Sequence, residues 1–159
     1  MEKKTKPKMS CKAKAVDLLS RSDQSKGKLI QKLRRAKYEQ EEIEEVIEWL
    51  EEKHYINEEA CCQRRFENMY EMNNCSVKQI CVKLLQQGFQ RDMIDECIPD
   101  DLHEHEYKSA MKLASHKFKA GTDPRKIMQY LYMKGFGYDI SQNVTEDITA
   151  DWDCDEEYE

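Results

Sequence analysis

Apolar residues recur along this chain at one spacing, three times over. The copies read Leu29-x3-Leu33-x4-Tyr38, Ile80-x3-Leu84-x4-Phe89 and Ile127-x3-Leu131-x4-Phe136, offset by 51 and then 47 residues. An i, i+4 apolar pair falls on one face of a helix. Four residues before each copy stands a helix-starting side chain, Ser25, Ser76 and Asp123, and Pro124 holds the first helical position of the third, where its missing N–H costs nothing. Gly88 and Gly135 close the second and third copies as helix C-caps, and Lys37 takes that place in the first.

A flanking helix on each side completes every copy. The pattern predicts helices over 12–20, 26–36 and 40–53, then from Asn57 to about 72, over 77–87 and 91–98, and finally over 104–119, 124–134 and 139–147. In the last helix of the first copy, Ile43, Val46, Ile47 and Leu50 make an i, i+3, i+4, i+7 stripe, answered by Ile94, Cys97 and Ile98 and by Val144 and Ile148. The expected fold is all-α, an elongated array of three tandem three-helix repeats at 12–56, 57–102 and 103–147. A flexible basic leader (1–11) precedes them, and an acidic tail (148–159), expected to be disordered despite Trp152, follows. Such units bury their apolar faces only against neighbours, and arrays of them usually bind other macromolecules.

Composition narrows this picture. A charged fraction of 36% and a mean hydropathy of -0.94 leave material for thin cores only. Seven cysteines without a C-x-x-C pair, no bilayer-length apolar run and no signal-peptide core predict a reduced, soluble, cytoplasmic protein, expected to be a monomer. Charge changes the picture more. Residues 1 to 37 hold 13 Lys+Arg against 3 Asp+Glu, and residues 38 to 59 hold 1 against 10. The alternation recurs less steeply afterwards, so a cationic flank could lie beside an anionic one along the row.

The sharpest basic feature is Lys28, Lys32 and Arg35 at i, i+4, i+7, with Arg34 and Lys37 beside them and Lys3, Lys4, Lys6, Lys8, Lys12 and Lys14 ahead. The same positions hold Gln79, Lys83 and Gln86 in the second copy and Lys126, Tyr130 and Met133 in the third, after Arg125. These cations are the candidates for contact with phosphates or an acidic protein groove, and Tyr130 for contact with protein. For any single lysine a merely solvated face serves as well.

Other candidates point nowhere sharper. His103-Glu104-His105 reads as a solvated linker rather than a metal site, because no second ligand cluster accompanies it. Cys61-Cys62 reads as inert packing, Trp49 as a side chain turned toward the next repeat, and first-turn Glu41 and Glu42 as partners of the helix dipole. No phosphate loop, nucleophile motif or paired carboxylates are present, so neither catalysis, a metal nor a cofactor is expected.

The run Ile43-Glu44-Glu45-Val46-Ile47-Glu48-Trp49-Leu50, then Tyr55-Ile56-Asn57-Glu58-Glu59, Leu84-Leu85-Gln86-Gln87-Gly88-Phe89, and Pro124-Arg125-Lys126-Ile127 leading to Lys134-Gly135-Phe136, resembles the RecX family of recombination regulators. The resemblance covers about residues 13–144. It implies a non-catalytic protein that lies along the groove of the RecA–single-stranded DNA filament and damps ATP hydrolysis, strand exchange and co-protease activity. Direct contact with single-stranded DNA is left open by it. Cys61 and Arg65 depart from the family, standing where aromatics are usual. The other reading is a helical adaptor for an unrelated protein partner, without nucleic acid.

Overall fold

The computed structural model describes residues 9–157, which form nine helices and no strand: α1 (Cys11–Arg21), α2 (Lys26–Arg35), α3 (Gln40–Glu52), α4 (Glu58–Met72), α5 (Val77–Gln86), α6 (Arg91–Cys97), α7 (His103–Lys117), α8 (Pro124–Met133) and α9 (Tyr138–Glu156). The lysines expected in the leader up to Lys8 lie outside the described residues, whereas Lys12 and Lys14 are already in α1.

The helices pack in consecutive threes, each triplet around its own core. Leu29 and Leu33 meet Ile43, Val46, Ile47 and Leu50. Ile80, Leu84 and Phe89 meet Phe66 and Ile94, and Ile127, Leu131 and Phe136 meet Ile140, Val144 and Ile148. The i, i+4 pairs Leu29/Leu33, Ile80/Leu84 and Ile127/Leu131 are all 0% exposed, and each such side chain contributes about 1.5–3 kcal/mol by its burial. The starts are set as the caps predict. Ser25, Ser76 and Asp123 accept from the backbone N–H of Lys28 (3.2 Å), Gln79 (3.2 Å) and Arg125 (3.0 Å). Lys37, Gly88 and Gly135 all have positive φ, so the middle helices close alike.

Two expectations fail here. The acidic tail is helix: α9 runs on to Glu156, Ile148 is 4% exposed, and Trp152 packs on the third core. Ile140, Val144, Ile148 and Trp152 fall every fourth residue, and burying Ile148 outweighs the few tenths of a kcal/mol that each acidic group costs near a helix C-terminus. Tyr107 of α7 pins this helix by donating its hydroxyl proton to Asp147; that bond, with burial second, pushes the phenol pKa up to about 12. The histidine segment is no solvated linker either. His103 begins α7, and His105 is buried with its ring stacked on Tyr70 at 3.9 Å.

Neighbouring triplets are joined by a repeated set of contacts. The hydroxyl of Ser25 donates to the carbonyl of Gln87, and that of Ser76 to the carbonyl of Lys134 at 2.7 Å. The N-terminus of α2 therefore abuts the C-terminus of α5, and the N-terminus of α5 abuts the C-terminus of α8. Arg65 on α4 reaches back to the Asp23 carbonyl and to Gln87 Oε1 (2.7 Å), while Lys112, at the same place on α7, reaches Asn74 Oδ1 (2.9 Å) and the Met72 carbonyl (3.2 Å). The departure at Arg65 is thus structural: a cation there ties α4 to the α1–α2 loop of the preceding repeat, aided by the Arg64–Asp23 pair at 2.6 Å.

Candidate functional site

Because the middle helices meet end to end, α2, α5 and α8 form one row, and their residues turned away from the cores form its outer face. Lys32, Arg34, Arg35 and Lys37 are exposed at one end of the row and Lys28 is half-buried. Lys28, Lys32, Arg35 and Lys37 enter no ion pair among the described residues. Arg34 is engaged, donating from Nε to Gln40 Oε1 at 3.2 Å. The cluster serves its own helix as well, since Lys32, Arg34 and Arg35 occupy the last turn of α2 and complement its dipole.

The other candidates lie beyond the joints. Exposed Lys83 occupies on α5 the place of Lys32, and exposed Arg125 and Lys126 sit in the first turn of α8. The structure therefore gathers five of the candidates on or just beyond α2 and spreads the rest along the row. Tyr130 is mainly a packing residue: half-buried, it meets Phe118 edge-on at 5.3 Å, with the Lys117 and Lys134 ammonium groups 5.8 and 5.6 Å from its ring. The outward side chains of that end are Tyr132 (72% exposed) and Met133 (75%), with Tyr138 (65%) at the start of α9. The sequence reading missed Tyr132, although aligning the copies places it where Arg34 stands in α2.

Trp49 does not turn to the next repeat. It packs on the first core, meets Tyr55 at 5.6 Å, and carries the Lys12 ammonium 3.6 Å from its ring. A cleft of about 430 Å³ lies there, lined by Val16, Leu19, Trp49 and Tyr55 among others. The α3 acids look outward, and Glu39 and Glu42 form a capping box in place of the usual hydroxyl cap. Apart from exposed Cys154, the thiols are packing groups. Cys62 is 0% exposed, its sulfur lies 3.8 Å from that of Cys97, and burial pushes its pKa up to about 12. Such a thiol carries almost no thiolate near neutral pH. Among the described residues no group of three or more His, Cys, Asp or Glu could hold a metal ion, and no helix is long and apolar enough to cross a membrane.

The family model for the first three-helix domain of RecX matches residues 11–50, which is α1 to α3 up to Leu50. The Regulatory protein RecX of Clostridioides difficile (strain 630) is 30% identical over 142 residues, covering 86% of this chain and 66% of that protein. This chain belongs to the RecX family. The Regulatory protein RecX of Clostridium botulinum (strain Eklund 17B / Type B) is 25% identical over 87% of this chain and 68% of its own length. This chain thus spans about two thirds of the length of these RecX relatives. Two solved RecX structures share the fold: the crystal structure of RecX from Lactobacillus salivarius, with TM-score 0.70, 24% identity and coverage of 86% of this chain and 93% of that one, and a second crystal structure of regulatory protein RecX, with TM-score 0.73, 21% identity and coverage of 86% and 72%. The relatives are named as regulatory proteins.

Proposed function

We propose that this RecX-family chain is a non-catalytic inhibitor of the RecA recombinase that lies along the groove of the RecA–single-stranded DNA filament. Family membership supports the partner. The observation that carries the mode of binding is the end-to-end row of α2, α5 and α8 with Lys28, Lys32 and Arg35, at one end, in no ion pair among the described residues. A rigid row can contact several filament protomers at once and hinder the concerted motion that ATP turnover requires. Its cationic end faces DNA phosphate or acidic filament surface, where each released counterion adds salt-dependent affinity. Three buried cores linked by directed hydrogen bonds give the stiffness such bridging needs.

The test is a titration of the purified chain into RecA assembled on single-stranded DNA, with ATP hydrolysis as the signal. The rate should fall as the chain is added and recover in part when Lys28, Lys32 and Arg35 are all changed to Glu. A rate that never changes, with the filament intact, rejects the proposal.

A further inference from the structure

The third repeat meets the second through one strip of α7. His105, Ser109 and Lys112 fall at i, i+4 and i+7 and face the end of α4 or the α4–α5 loop. Lys112 grips that loop from outside, and the other two form a chain within. Glu106 accepts the Val77 N–H at 2.8 Å, and the same oxygen lies 3.3 Å from His105 Nδ1. The second ring nitrogen, Nε2, lies 3.4 Å from Ser109 Oγ, which in turn lies 3.4 Å from Asn73 Oδ1. His105 is 6% exposed and Ser109 0%, so each must find its partners inside the joint. At the matching positions of α4 stand Glu58, Cys62 and Arg65, so this chain of groups is particular to the joint between the second and third repeats.

With a neutral imidazole the chain is one proton short. A carboxylate has none to give, so Nδ1 carries the ring proton and donates it to Glu106, which leaves Nε2 an acceptor. The Ser109 hydroxyl then has one proton for two acceptors, Nε2 and Asn73 Oδ1. Turning the Asn73 amide over would forfeit its Nδ2 bond to the Glu71 carbonyl at 3.2 Å, and turning the ring over would take the nitrogen away from Glu106. A second ring proton completes every link: Nε2 donates to Ser109, Ser109 donates to Asn73, and an imidazolium stands beside Glu106. The surroundings suit that charge. The Tyr70 ring of α4 stacks on His105 at 3.9 Å, and an aromatic face attracts a cation. Glu71 of α4, Asp101 of the α6–α7 turn and Glu104 line the adjoining cleft, where the ammonium of Lys108 is paired with Glu104 at 2.6 Å. Lys112 is turned to Asn74 Oδ1 and the Met72 carbonyl. Burial pushes up the pKa of Tyr70 and of Cys75 on the loop, so both stay neutral near neutral pH. We propose that His105 is a proton-operated latch: gaining a second proton ties α7 of the third repeat to the α4–α5 loop of the second, so that this joint of the row tightens as pH falls.

Three forms of the full chain test this by hydrogen exchange at the first turn of α5, where Glu106 holds the Val77 N–H. Protection is compared between about pH 8 and pH 5, the range in which imidazole changes charge, after correction for the intrinsic pH dependence of exchange, and NMR of the His105 ring follows its proton uptake. The wild type should gain protection roughly fivefold toward acid, as for one added hydrogen bond. His105→Phe keeps a ring against Tyr70 and has no proton to gain, so its protection should stay level. Ser109→Ala lets the ring titrate but cuts its link to Asn73, so most of the gain should be lost. A ring that takes up no proton across this range overturns the proposal. So does a wild type that gains no more protection than His105→Phe, or a Ser109→Ala variant that gains as much as the wild type, the comparison that remains decisive if His105→Phe fails to fold.

Discussion

On α2 the residues turned away from the core are Lys32, Arg34 and Arg35; on α8 the same three positions hold Tyr130, Tyr132 and Met133. The inward residues of the two helices match in kind, with Leu33 and Leu131 both 0% exposed. Packing constrains what a repeat shows its own core and leaves the outward positions free, and there the two ends of the row have diverged from cation to ring. One end suits phosphate or acidic protein, the other an apolar protein surface. The α8 end has also drawn one outward residue into its fold, since Tyr130 lies against Phe118 while Lys32 stays in solvent.

The strongest test of the shared skeleton is truncation of the central leucines. Leu33→Ala, Leu84→Ala and Leu131→Ala should each cost about 2–5 kcal/mol by denaturant titration. If only one of the three matters, the copies are not equivalent inside and the comparison loses its basis. Next in size is the difference at the diverged position: Tyr130→Ala should cost about 1–3 kcal/mol through weakened ring packing, whereas Lys32→Ala should stay within about 0.5 kcal/mol. Equal effects would mean that Tyr130 is as peripheral as Lys32. Smaller again is the effect one position further out, where Tyr132→Ala should leave the melting temperature nearly unchanged and weaken filament binding with its salt dependence kept, while Arg34→Ala should reduce that dependence. A change of salt dependence on removing the Tyr132 ring would contradict the assignment of that end to apolar contact. In the middle of the row, Gln79→Ala and Gln86→Ala should do least of all.

Much of the row is legible in the sequence, for reasons specific to certain residues. Ser25, Ser76 and Asp123 announce their helices because capping is local, and Leu29/Leu33 and its copies announce theirs because burial imposes a period. The joints are hidden because a contact between repeats leaves no period within either one. Aligning the copies exposes them: Arg65 and Lys112 share a position, as do Asp23 and Asn74, and Arg65 meets Asp23 across one joint while Lys112 meets Asn74 across the other. The last turns of α9 are obscured by their acidic composition, although Ile140, Val144, Ile148 and Trp152 keep a four-residue spacing that a helix turns toward the third core. The candidate cations were legible as a pattern, but the half-buried state of Tyr130 was not, since Phe118 reaches it from the end of α7 through a turn that sequence spacing does not predict.

The central claim is that the α2 end of the row engages the filament through charge, and the salt dependence of binding tests it most directly. Affinity for RecA on single-stranded DNA should be measured across a range of salt for the wild type and for the variant with Lys28, Lys32 and Arg35 all changed to Glu. The account predicts weaker binding by the variant and a log–log slope flatter by roughly one unit for each phosphate no longer neutralised, with thermal stability unchanged. Wild-type affinity and slope in a folded triple variant would contradict it.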